Sequence, residues 1–256
     1  MTWKALELLN ATEEVARLAG QAALEYFRTD VTVETKGDGS PVTIADRSAE
    51  RAAREWIGKH FPGDAIVGEE FGEAGAASSR HRWIIDPIDG TKSFVRSVPL
   101  WGTLIAVCDG ETVLAGAAFF PALDEMLVAA VGEGCWHNGV RARVSVVESI
   151  GKAAVLTTDE RFRALPERRA AWERLAAAAA IARSWGDCYG YMLVATGRAD
   201  VMVDGVAASW DTAAVQRCVV EAGGVFTDWN GAATAFGGSA VATNARVAIE
   251  TRGLLR

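Results

Sequence analysis

The sequence has no surplus of positive charge: its formal net charge is −7 at pH 7. A nucleic-acid groove or an anionic membrane surface calls for a basic face, so neither is an expected partner. The four cysteines, Cys108, Cys135, Cys188 and Cys218, form no C-x-x-C pair. That spacing fits reduced thiols in the cytosol better than a disulfide framework or a zinc ribbon. His60, His81 and His137 lack metal-ligand spacing and read as surface or structural groups. No apolar run is long enough to span a bilayer, and MTWKALELLNATEEVARLAGQAALEYF at the N-terminus carries acids throughout, unlike a signal peptide. A cytoplasmic protein is expected. Repeats, a linker and a low-complexity tail are also missing.

What is present is an ordinary globular composition, 256 residues of which 50% are hydrophobic, enough for a large core. One domain over 1–256 is expected, with lobes of about 1–145 and 146–256. Leu8, Val15, Leu18, Ala22 and Tyr26 recur at helical spacing and predict an amphipathic helix over 4–28. VTVET (31–35) alternates like a strand, KGDGS (36–40) is a glycine-rich loop, and Pro41, Thr43 and Asp46 open a helix to about His60. AIVGEE (65–70) and RWIID (82–86) read as short strands ending in carboxylates, separated by a flexible loop over 72–80. Residues 101–144 read as an antiparallel meander. Beyond it come a helix over 166–180, a strand AIARSW, a helix CYGYMLVATG, a strand ADVMVD and a helix SWDTAAVQRCVVEAGG closed by Gly223 and Gly224. Strands and helices alternate in layers.

Acids gather at the ends of these elements: Asp46, Glu69 with Glu70, Asp86 with Asp89, and Asp211. Two carboxylates about 5 Å apart repel by roughly 3 kcal/mol at an effective dielectric near 20. A hard divalent cation relieves that repulsion, and magnesium takes a few carboxylates plus substrate phosphate. Pro87 keeps the stretch WIIDPIDGTKSF (83–94) out of helix, so Asp86, Asp89 and the Ile88 carbonyl can converge. Gly90 permits close backbone approach, and a helical turn from Thr91 would present free N–H groups to phosphate. D-P-x-D-G is also good turn chemistry. A D-x-D-G-T aspartyl-phosphate site is excluded, because Pro87 stands where its nucleophile would be.

These residues carry a resemblance over nearly the whole chain. Gly68-Glu69-Glu70, Asp86-Pro87-Ile88-Asp89-Gly90-Thr91 with Phe94, Trp210-Asp211-Thr212-Ala213-Ala214, Glu221-Ala222-Gly223-Gly224 and SPVTIAD (40–46) resemble the motifs of the inositol monophosphatase superfamily of magnesium-dependent phosphatases. The resemblance implies an α/β fold layered α-β-α-β-α, a small phosphate ester as substrate, two or three magnesium ions (manganese as a substitute) and a homodimer. Carried over by position, Glu69, Asp86 and the Ile88 carbonyl hold one ion and Asp86, Asp89 and Asp211 a second, while Glu69 shares a third with water and phosphate. The first lobe then binds metal and phosphate, and the second faces the rest of the substrate. Thr91 and Asp46 orient a water for in-line attack, and the Gly90 and Thr91 amides hold phosphoryl oxygens. Imported cations explain how an acidic protein handles phosphate. Lys36 either neutralises phosphate or is a solvated lysine, and Glu70 is a supporting group.

The alcohol half of the ester should be chosen by 183–197 and 201–211. Asp204 lies seven positions before Asp211, where inositol enzymes of the superfamily carry an acid. W-G-D-C-Y-G-Y, with Asp187, is similar to the superfamily's histidinol-phosphate phosphatases. Histidinol phosphate carries an ammonium and an imidazole, so an added carboxylate offers a charge-assisted partner. Asp187 and Asp204 are the candidate pair, with Arg183 and Trp185 in support. Asp187 can equally cap the helix that follows it. Inositol phosphate is the alternative substrate, other sugar phosphates follow, and a non-catalytic metal-binding scaffold is the reading outside enzymes.

Overall fold

In the computed structural model, which describes residues 4–37, 39–76 and 78–256, helix α1 (Ala5–Leu24) turns Leu8, Thr12, Val15, Ala19 and Ala23 into the core. The regular helix stops short of the expected 28, and Leu18 is exposed. A residue beside Ala19 points about 100° away from the buried stripe. The expected strand over 31–35 shrinks to β1 (Glu34–Thr35), paired with β2 (Pro41–Val42). Pro41 has no N–H to extend that ladder. Asp38, in the expected glycine-rich loop, lies outside the described residues.

Helix α2 (Ile44–His60) starts at a capping box in which Thr43 and Asp46 bond each other's backbone. The large sheet then takes β3 (Ala65–Gly68), β4 (Gly72–Ala74), β5 (His81–Asp89), β6 (Gly102–Asp109), β7 (Thr112–Phe120), β8 (Glu125–Ala130), β9 (Gly134–His137) and β10 (Val140–Arg141). Their order is β10-β9-β8-β7-β6-β5-β3-β4, and only β3 with β5 is parallel. The meander from β6 to β10 is antiparallel, as its turn spacing implies. Two expectations change here. Residues 72–74 are not loop but an edge strand, because a tight turn over 69–71 folds them back on β3. The strand expected over 82–86 continues to Asp89: the register shifts between Asp86 and Asp89, and the shift absorbs Pro87. A four-residue helix, α3 (Thr91–Phe94), follows at once.

The second sheet has β11 (Ala154–Thr157), β12 (Ile181–Arg183), β13 (Val201–Asp204), β14 (Val225–Thr227) and β15 (Ala240–Thr243), in the order β12-β11-β13-β15-β14. Helices α4 (Pro166–Ala178), α5 (Cys188–Ala195), α6 (Ser209–Glu221) and α7 (Ala248–Leu254) complete the chain. Alternating strand positions feed different layers. Trp83, Ile85, Ile105 and Phe119 pack under α1 and α2, whereas Ile84, Leu104, Ala118 and Phe120 pack against α5 and α6 with Met202 and Ala242 of the second sheet. Val155, Val201, Val203 and Val241 face Trp172 and Leu175 of α4 on the outside. The result is the α-β-α-β-α stack. Each large apolar side chain taken from water contributes roughly 1.5–3 kcal/mol. Among the described residues no helix is long and apolar enough to cross a membrane.

Candidate active site

The register shift at the end of β5 aims two acids into one space. Asp86 is buried, and its Oδ1 accepts the Ile88 N–H at 3.0 Å, which curls the chain back past Pro87. Thr103 Oγ1 donates to the Pro87 carbonyl at 2.8 Å and ties the bulge to β6. Gly90 then takes φ +90°, the left-handed region. A Cβ there would meet the Leu100 carbonyl oxygen at 3.0 Å and Asp187 Oδ2 at 3.2 Å, so glycine is required twice over.

Asp211 arrives from another layer. It is the third residue of α6, and its Oδ2 accepts the Ala208 N–H at 2.7 Å. Ligand oxygens of Asp86, Asp89 and Asp211 lie within 4.8 Å of one another. Among the described residues no ion pair reaches any of the three; the cation nearby, Lys36, is held by Glu69 at 2.7 Å and by Glu70. Burial drives the Asp86 carboxyl well above the usual range, and Glu69, Asp89 and Asp211 push it further. Burial does the same to Asp89, with Asp187 and Asp211 adding. Asp211 is pushed up to about 6, again chiefly by burial, and Glu70 to about 7 by burial against the pull of Lys36. Burial works against the charge of Lys36, yet its hydrogen bonds to Glu69 and Glu70 hold its pKa above the ordinary value. Clustered carboxylates strained in this way fit a hard divalent cation with oxygen ligands.

Beside the cluster, Thr91 Oγ1 stands 3.0 Å from the Ile88 carbonyl and 3.4 Å from Asp46 Oδ1. The other oxygen of Asp46 is committed to α2, accepting Thr43 N–H at 2.8 Å and Thr43 O–H at 2.7 Å. Burial raises the Asp46 carboxyl, with the Thr43 hydrogen bonds opposing. One oxygen is structural and the other faces the site.

Asp187 stands just before α5. It occupies the N-cap position of α5, but its side chain makes no capping bond. Its backbone sits at φ 51°, ψ −158°, a region essentially reserved for glycine. Three tethers hold it there: its N–H donates to Thr158 Oγ1 at 2.8 Å, the Cys188 N–H donates to Asp89, and Gly190 N–H returns to the Asp187 carbonyl at 3.1 Å. The half-buried carboxylate is thereby delivered to Gly90. Burial, reinforced by Asp204 and opposed by Lys92, pushes it up to about 7. Asp204 is placed differently. Its oxygens accept the Tyr191 hydroxyl at 2.7 Å and the Thr158 N–H at 3.2 Å, so it braces the wall. Arg183 is exposed on the edge strand and donates to the Ala182 carbonyl, and Trp185 is exposed.

Strained residues at functional positions are not tuned for stability. Asp187→Gly is expected to leave the melting temperature unchanged or raise it by up to about 3 °C, since relieving roughly 1 kcal/mol of strain offsets glycine's entropy. Differential scanning fluorimetry checks this; a drop of more than that amount would make Asp187 a structural residue.

Thr158, Tyr191 and Lys92 were not singled out by the sequence. Thr158 and Asp187 are 29 positions apart, and Tyr191 and Asp204 are 13, so no local pattern joins them. Lys92, inside the D-P-x-D-G-T motif run, could have been read as a cation facing the extra carboxylate. Glu221 of the E-A-G-G motif is not at the site: it accepts the Gly132 and Gly134 N–H groups at 3.1 and 3.0 Å and anchors the end of α6 to the meander.

Known proteins share the fold and much of the sequence. The extragenic suppressor protein SuhB of Bartonella henselae superposes with a TM-score of 0.92 over 98% of each chain at 27% identity. A histidinol-phosphatase of Chlorobaculum parvum is 43% identical over 219 residues, 85% of this chain and 84% of that one. The histidinol-phosphatase of Mycobacterium tuberculosis is 38% identical over 245 residues, 94% and 92% of the two chains. With the layered fold, these similarities make the chain a phosphoric monoester hydrolase. The model of the inositol monophosphatase family matches residues 4–254. The chain belongs to that family.

Proposed function

We propose that this hydrolase is magnesium-dependent and cleaves L-histidinol phosphate to L-histidinol and phosphate. The observation that carries the substrate is Asp187, a carboxylate held in a strained backbone beside Gly90 with no partner from its own helix. A substrate ammonium or imidazolium next to it would form a charge-assisted hydrogen bond. The similarity to two histidinol-phosphatases supports the same reading. Because both Asp204 oxygens are engaged, Asp187 is the free acid of the pair.

Glu69, Asp86, Asp89, Asp211 and the Ile88 carbonyl would hold the ions. When bound, divalent cations supply Lewis acidity toward water and the phosphoryl and leaving oxygens. The chain's own residues do the rest. Thr91 Oγ1 accepts a hydrogen bond from the attacking water and donates to Asp46 Oδ1, which aims the water at phosphorus opposite the ester oxygen. The water oxygen forms the new bond to phosphorus as the ester P–O bond breaks. Thr91 Oγ1 takes the water's proton as it passes its own to Asp46 Oδ1, and the leaving alkoxide is protonated from solvent. The Gly90 and Thr91 amides hold the phosphoryl oxygens as charge builds.

Phosphate release from histidinol phosphate and inositol 1-phosphate, measured side by side with magnesium and with chelator, tests the proposal. Histidinol phosphate should be hydrolysed with the higher kcat/KM, and only with metal. Asp187→Asn should raise KM for histidinol phosphate about tenfold, one charge-assisted hydrogen bond being worth roughly 1.5–3 kcal/mol. KM for inositol 1-phosphate should hardly change. Equal effects on both esters would remove Asp187 from substrate recognition.

A further inference from the structure

Four residues past Asp46, on the same face of α2, a second carboxylate is sealed in the core. Glu50 has no exposed surface, and it touches none of the groups that meet water or phosphate in the mechanism above. Its Oε2 accepts the Glu70 N–H at 2.7 Å, and its Oε1 accepts the Phe71 N–H at 3.2 Å and Arg54 Nε at 2.7 Å. Arg54 in turn donates to the Gly72 carbonyl. The Glu50–Arg54 pair therefore grips three consecutive backbone groups of the turn that carries Glu69. The grip leaves no room for a side chain at Gly68, where a Cβ would lie 1.9 Å from Glu50 Oε1 and 2.8 Å from Oε2. On its other side, the Glu69 N–H is held by the Ile85 carbonyl at 3.2 Å, one residue before Asp86.

We infer that Glu50 is a positioning residue, which fixes the Glu69 turn to α2 and so sets the geometry of the metal site relative to Asp46. This rests on the divalent-cation reading of the acid cluster. A helix is a stiff ruler, and residues four apart lie on one face about 6 Å apart along its axis. Asp46 and Glu50 use that spacing to register the water-orienting acid against the turn that supplies a ligand. A bulk-stability role alone would be served by an apolar side chain. A buried carboxylate accepting three N–H donors is a costly device, stable only because both oxygens are hydrogen-bonded and Arg54 supplies the counter-charge.

The test is magnesium binding by titration calorimetry on the full chain, followed by the magnesium dependence of turnover. Glu50→Gln keeps the size but turns an N–H₂ toward one backbone donor. Loss of a residue that orients metal ligands typically weakens metal affinity about 10–100-fold, so a Kd at least about tenfold weaker is expected, with kcat largely recovered at saturating magnesium. Gly68→Ala, which displaces the same carboxylate from the opposite side, should give the same loss and serves if the first variant does not fold. In a Glu50→Ala background, Gly68→Ala should add less than about twofold, since contacting residues couple non-additively. A folded variant with unchanged magnesium affinity, or a Gly68→Ala effect undiminished without Glu50, would overturn the inference. Asp89→Asn separates the two claims: wild-type binding that this variant loses establishes the metal site whatever Glu50 does, and a wild type that binds no magnesium overturns both.

Discussion

Asp89→Asn is expected to lower kcat at least about a thousandfold while the chain stays folded, the loss of several kcal/mol of metal-borne charge stabilisation. The argument is geometric. Asp89 stands within 4.8 Å of Asp86 and Asp211, and asparagine keeps its shape and one oxygen while removing the charge that draws the cation. Without metal the sign of the stability change reverses. The wild-type cluster repels itself, so the variant in chelator should melt about 2–4 °C higher than wild type for each kcal/mol of repulsion removed. Magnesium should then stabilise wild type and leave the variant almost unmoved. Turnover near wild type, measured as phosphate release at saturating substrate and metal, would sink the assignment of Asp89 as a ligand.

Removing divalent ions has the second large effect, and its size depends on pH. The carboxyls of Asp86, Asp89, Asp211 and Asp187 all titrate above the ordinary aspartate value, mainly because burial disfavours their charge. A folded-state pKa raised above the unfolded value favours the folded state in its protonated form. That stability is fully present below the unfolded pKa and is lost as pH rises through the folded pKa. With Asp211 at about 6 and Asp187 at about 7, the chelated protein should lose stability as pH rises from the ordinary aspartate range to beyond 7. Bound magnesium takes the place of the protons, so its benefit is greatest at the alkaline end. At about 100 times its Kd a ligand contributes roughly 2.7 kcal/mol, a rise of about 5–10 °C for a chain of this size. Thermal melts at pH 8 and pH 5.5, with magnesium and with chelator, check both parts. A gain at pH 8 no larger than at pH 5.5 would disprove the link between the acids and the ion.

Pairs of acids close in sequence were legible without coordinates. Asp86 and Asp89 are separated by a proline that cannot join a helix, so their convergence follows from backbone chemistry over a few residues. The capping box that starts α2 is equally local: Thr43 and Asp46 are three apart and bond each other directly. Where a reading depended on pairing, it slipped. Residues 72–74 looked like part of a flexible loop, and only the turn clamped by Glu50 makes them a strand. The strand was expected to end at Asp86, and only the shifted register with β6 carries β5 past Pro87.

The two candidate substrate acids show the same divide. By sequence position Asp187 and Asp204 were both candidate partners for a cation, and Asp187 was as good a helix cap as a recognition group. Packing separates them. Tyr191 and the Thr158 backbone occupy Asp204, while Thr158 and Asp89 hold Asp187 in an unfavourable backbone with its carboxylate unspent. The amino-acid sequence by itself pointed to the class of chemistry, because acids gathered at the ends of regular elements are specified residue by residue. The alternation of strand and helix patterns indicated a layered protein, and the order of the layers was implied by the family resemblance. Tertiary structure alone decided which acids remain free, what holds them and how α2 is tied to the turn that carries Glu69. Those choices rest on contacts between residues tens of positions apart, and such contacts exist only once the layers have packed.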